Sequence, residues 1–131
     1  MKYMLMMTGP WEGFEPIGTW PQDDIRAHIR FMMTLNKELR GTGELVLAEG
    51  LAMPNQAKLV RAGKDGTPVT DGVFPESKEF LAGFWIVEVE SPERAYAIAA
   101  KASSAPYIGG VPMCMPIEVR QVMGGPPPDF A

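Results

Sequence analysis

Asp71, Glu76, Lys78 and Glu79 place four charged side chains in the nine-residue stretch Asp71-Gly72-Val73-Phe74-Pro75-Glu76-Ser77-Lys78-Glu79. A connecting turn asks for Gly, Pro or Asn, not for two carboxylates around a lysine. Phe74, Phe80 and Leu81 bracket the charges with apolar bulk. Carboxylates and amines that are partly desolvated beside opposite charges acquire proton affinities suited to acid–base work. The plainer reading is a solvated turn of helix held by charge pairs, with Asp71 bonding a nearby backbone N–H. His28 is the only histidine, and imidazole titrates near neutrality, which suits a general acid or base. An orienting carboxylate would be Asp71 or Glu49. The competing reading makes His28 a core residue whose ring nitrogens are satisfied by backbone.

Other residues add to this picture or close off alternatives. Trp11, Trp20 and Trp85 are core and loop anchors or the walls of an apolar ligand pocket. The ten methionines fill the core or line an adaptable pocket. Cys114 has no basic neighbour or second cysteine to activate it. One histidine and one cysteine make a structural zinc site implausible. No phosphate loop, dinucleotide fingerprint or nucleophile elbow is present, so no cofactor is expected.

Regular elements must hold these groups in place. Lys2 to Met7 reads as a buried strand, followed by a long loop from Thr8 to Trp20. Pro21 to Thr42 is the clearest helix. Asp23 and Asp24 lie in its first turn and Gly41 stops it. Ile25, Ile29, Met32, Leu35 and Leu39 recur every three or four residues and form one apolar face, which contains His28. Glu44–Leu51, Ala57–Arg61 and Phe84–Val89 read as strands. Ser91-Pro92-Glu93 caps a second helix running to about Ser103. Ile117–Met123 is the last strand. Residues 1–123 make one domain, and 124–131 form a Gly/Pro-rich tail.

The order strand, helix, strand, strand, strand, helix, strand predicts an α+β fold with both helices on one face of the sheet. The other face keeps apolar residues, which a monomer does not leave exposed at low cost. A homodimer through the sheets is therefore expected. A net charge of −4 with scattered cations argues against a nucleic-acid partner. No apolar run approaches the roughly 20 residues of a membrane span, and no signal peptide is visible. Together with the single cysteine, this predicts a cytoplasmic protein without a membrane partner.

The chain resembles the YCII-related superfamily, in its Asp-Gly-Pro-Phe (DGPF domain) branch. The resemblance rests on Met1-Lys2-Tyr3-Met4-Leu5, Ala27-His28, Gly43-Glu44-Leu45-Val46, Val69-Thr70-Asp71-Gly72, Glu76-Ser77-Lys78-Glu79, Ser91-Pro92-Glu93-Arg94-Ala95 and the segment Ile117–Val122. Val73 stands where the signature has Pro, and Pro75 where it usually has Ala. The resemblance implies a ferredoxin-like fold paired as a dimeric α/β barrel. It also implies a histidine–carboxylate site, with His28 and Asp71 as catalytic residues. Phe74, Glu76, Lys78, Glu79 and Trp85 are expected to line the ligand pocket. Two functions follow as expectations. One is a cofactor-independent enzyme acting by acid–base chemistry on a small organic molecule. The other is a non-catalytic binding or regulatory module, since relatives occur beside sigma-factor-type regulators.

Overall fold

The computed structural model describes residues 1–10, 12–72, 79–126 and 129. Among them the strands are β1 (Lys2–Pro10), β2 (Leu45–Gly50), β3 (Leu59–Ala62), β4 (Pro68–Asp71), β5 (Glu79–Glu88) and β6 (Ile117–Gln121). The helices are α1 (Gln22–Gly41) and α2 (Pro92–Ser103). Four strands form one sheet in the order β2-β5-β1-β6, and β3 pairs with β4 in a separate two-stranded sheet. Every neighbouring pair is antiparallel. The α+β class is as expected, and this strand order with two helical crossovers is consistent with the ferredoxin-like arrangement. The four-stranded sheet is open in the single chain, with β2 and β6 as its edges.

Strand alternation sorts the side chains. Tyr3, Leu5 and Met7 of β1 face the helices and are buried, as are Trp85 and Val87 of β5. Both helices close over this side: Leu35 and Leu39 of α1 and Ile98, Ala99 and Ala102 of α2 share one core with those strands. Leu5 and Val87 are wholly inaccessible. Met4, Met6, Phe84 and Ile86 alternate onto the other face and are half-buried. Leu47, beside Ile86, is 42% exposed there. Among the described residues no helix covers this apolar sheet face, as the element order predicts.

Three local details differ from the sequence reading. α1 ends at Gly41 as read, but the left-handed residue that turns the chain is Gly43, with φ of 78°. Ile29 lies on the outer surface of α1 at 47% exposure, because it projects about 100° from the Leu35–Leu39 centre. Phe31 packs against the core instead. Pro68–Asp71 is a strand, pairing Asp71 with Leu59, and β5 begins at Glu79 rather than Phe84. A register shift between Met7 and Thr8 marks a bulge where β1 meets the start of β5. No helix of the described residues is long and apolar enough to cross a membrane.

α2 begins as its sequence predicts. Ser91 accepts a hydrogen bond from the Arg94 N–H at 3.2 Å, and Pro92 occupies the first turn. Arg94 then reaches the start of β2. Its Nε and Nη2 each donate to a carboxylate oxygen of Glu44 at 2.8 Å, and the Thr42 hydroxyl donates to Glu44 at 2.7 Å. The Arg94 hydrogen bonds, reinforced by Thr42, lower the Glu44 pKa from 4.5 to about 2. The Glu44 side chain is only 16% exposed, while Arg94 is 45% exposed. After solvent screening the pair is worth about 1 kcal/mol. A depressed carboxylate stabilises the fold fully above its unfolded pKa, and that contribution fades as pH falls toward 2. Glu44→Gln should therefore lower unfolding free energy by about 1 kcal/mol at pH 7. The difference from wild type should shrink steadily below about pH 4.5 in denaturant titrations. An equal deficit at pH 7 and pH 2 would show that the ion pair is not its source.

Candidate functional site

Small residues on the helix-facing side of the sheet open a cavity. Ala48 and Gly50 of β2 and Ala82 and Gly83 of β5 leave volume beneath α1. Gly83 also permits close strand approach: a Cβ there would stand 2.9 Å from the carbonyl oxygen of Glu49. The resulting cavity holds about 380 Å³, within the range typical of small-molecule sites. α1 contributes His28, Met32 and Asn36 to its wall, at successive i, i+4 positions of one stripe. The loop after β1 contributes Phe14, Ile17 and Trp20, and the sheet contributes Met7, Phe80 and Trp85. Met53, Met113 and Met115 complete an apolar lining. The pocket reading of the methionines thus applies to part of the set, and Met7 serves both core and cavity.

Each wall segment is fixed by identifiable bonds. Trp20 Nε1–H donates to the Glu15 carbonyl at 2.9 Å. Its ring meets His28 edge-on at 5.4 Å and Tyr107 at 5.0 Å. The Tyr107 hydroxyl donates to Glu15 at 3.1 Å. Partial desolvation, then the Glu15 carboxylate, raises the Tyr107 pKa. Phe14 packs edge-on against Phe80 at 4.9 Å. The Met113 and Cys114 N–H groups donate to the carbonyls of Ala105 and Ser103, and the Ser103 hydroxyl donates to Met115. These bonds hold residues 113–115 at the end of α2, with Cys114 exposed.

His28 Nδ1 lies 3.0 Å from the carbonyl oxygen of Pro106. A carbonyl only accepts, so Nδ1 is the donor, and whenever the ring is neutral the lone pair is on Nε2. No carboxylate among the described residues bonds to His28. At Nδ1 the orienting partner is a backbone carbonyl and not Glu49; the Asp71 side chain lies outside the described residues. Glu49 lines the cavity but is exposed. Trp85 Nε1–H donates to Asn36 Oδ1 at 2.9 Å. Asn36 was not among the candidates from sequence. Its signal was a polar residue eight positions from His28 inside an otherwise apolar stripe.

The remaining candidates are placed as follows. Trp85 is buried in the cavity wall. Glu79 opens β5 as an exposed residue opposite Pro10. Asp71 ends β4, and its side chain lies outside the described residues. Phe74, Glu76 and Lys78, together with Trp11, also lie outside them. Most of the cavity wall lies on the helix side of the sheet, and Phe84 and Glu49, paired across β5 and β2, also border it. Among the described residues no group of three His, Cys, Asp or Glu side chains is arranged to hold a metal ion.

The model of the YCII-related domain matches residues 1–111, most of the chain and all but β6 of the regular structure. The chain therefore belongs to the YCII-related domain family. No curated protein matches it.

Proposed function

We propose that the cavity beneath α1 receives a small organic molecule and that His28 moves a proton to or from it without a cofactor. The observation that carries this reading is the Nδ1–H bond of His28 to the Pro106 carbonyl. It leaves Nε2 as the basic atom of a residue that lines a largely apolar cavity. A neutral imidazole there accepts a proton from a ligand C–H or O–H, becomes imidazolium, and returns the proton to another atom of the same molecule. The Pro106 carbonyl accepts from Nδ1 in both states, so the ring keeps one orientation through the transfer. The test is exchange of carbon-bound hydrogens in D2O, followed by proton NMR for a panel of small enolisable ketones. Exchange above the buffer rate supports the reading; binding without exchange favours a non-catalytic, regulatory binding module.

The protein is further proposed to act as a homodimer through its bare sheet faces. Met4, Met6, Phe84 and Ile86 supply the apolar centre, and mutual covering removes it from water. Sedimentation equilibrium at micromolar concentration should give a dimer. Ile86→Lys should shift it to monomer, since an unpaired ammonium would be buried at the contact. A monomeric wild type would end this part of the proposal.

A further inference from the structure

We infer that Asn36 is the second polar contact of the cavity, and that its ligand is an uncharged ring compound with a hydroxyl at one end and a carbonyl at the other. This rests on the cavity being the binding site proposed above. Trp85 Nε1–H is a pure donor and lies 2.9 Å from Asn36 Oδ1. That bond fixes which way the amide faces. The only hydrogen bond of Asn36 to another described side chain is the one from Trp85, so its Nδ2 hydrogens are free to meet a ligand, on a residue that lines this cavity and also the outer groove of α1 beside Arg30 and Lys37. A fixed donor in an apolar wall selects a ligand oxygen acceptor.

Spacing sets the ligand's length. His28 and Asn36 are eight residues apart on α1, a rise of about 12 Å. Both side chains lean toward the helix N-terminus alike, so the axial part of the separation carries over to their tips. Two hydrogen bonds of about 3 Å each leave about 6 Å between the ligand's polar atoms. A hydroxyl and a carbonyl on opposite sides of one six-membered ring span such a distance. Met32 and the Trp20 and Trp85 rings lie along that path as apolar walls.

Charge is selected as well. No lysine or arginine of the described residues lines the cavity, and Glu49 stands at its wall. A carboxylate or phosphate ligand would lose its hydration without gaining a cation. The arrangement also joins the two ends chemically. When His28 Nε2 takes the hydroxyl proton, the O–H bond breaks and the electron pair delocalises through the ring to the carbonyl oxygen. Asn36 Nδ2–H then holds the oxygen on which charge has grown.

The probes are 4-hydroxyacetophenone, 4-ethylphenol (no acceptor) and 4-hydroxybenzoate (anionic), titrated calorimetrically at pH 7 with the intact protein. 4-Hydroxyacetophenone should bind about tenfold tighter than 4-ethylphenol, and 4-hydroxybenzoate at least tenfold weaker than either. The phenolate absorbance of bound 4-hydroxyacetophenone should appear at lower pH than that of the free compound. Asn36→Asp keeps an oxygen for Trp85 but removes the N–H donor. It should erase the ketone's advantage over 4-ethylphenol measured in the same variant. Trp85→Phe, which keeps the ring bulk but frees the amide to turn, should reduce the same advantage. Equal binding of ketone and ethylphenol, preference for the benzoate, or no binding of any probe would overturn the inference. Those results leave the exchange measurement with His28 unaffected. Conversely, the expected binding pattern without any exchange removes the catalytic reading alone.

Discussion

His28→Gln lowers proton exchange on any ketone the wild type turns over by about 10²–10⁴-fold, the usual worth of a positioned acid–base group. Glutamine keeps an amide N–H that can donate to the Pro106 carbonyl, now held by His28 Nδ1 at 3.0 Å. It has no basic nitrogen at neutral pH. The substitution therefore separates a structural role from a chemical one. Ligand affinity and thermal midpoint should move little while exchange collapses. His28→Ala should lose exchange to the same extent and also some stability, because it leaves the Pro106 carbonyl without its donor and Trp20 without one of its two edge-on partners. Undiminished exchange in the glutamine variant would remove His28 from the mechanism.

The second large effect lies in the core. Leu5→Ala should lower unfolding free energy by about 3 kcal/mol. Leu5 has no accessible surface and sits in the central strand, opposite Trp85 on one side and Val119 on the other. The α1 and α2 side chains close above it, and packed helices do not collapse fully into the void. Chemical denaturation should show a lower midpoint with an unchanged slope. Measurements belong at one fixed protein concentration, since dimerisation would couple stability to it. A loss below about 1 kcal/mol would mean the site relaxes around the missing methyls.

The fold was more legible than the site. Strand and helix order followed from alternation in Tyr3–Met7, from the three- and four-residue spacing along α1, and from the Ser91-Pro92-Glu93 cap. β4 is not legible in the sequence because Pro68-Val69-Thr70-Asp71 is short and opens on a proline. Of the candidate site, His28 and Trp85 do reach one cavity. The signature segment drew attention through its charge, whereas the cavity depends on small residues at Ala48, Gly50, Ala82 and Gly83. Side chains that create space by being absent leave no chemical motif to read. The Pro106 carbonyl is equally silent, since any residue type presents one.

The register of β1 bears on how the chain comes to be folded at all. This central strand pairs Met7 with Gly83 on one side and with Ile117 on the other. During synthesis roughly 110 further residues must follow Met7 before its second partner exists, about 5–20 s at ordinary elongation rates. Until β5 has been made the apolar segment Tyr-Met-Leu-Met-Met has neither edge satisfied by its native neighbours, and from then until β6 follows one edge stays open. So many long-range pairings predict slow folding for a chain of this length. They also make β1 the segment a chaperone would be expected to shield in the nascent chain.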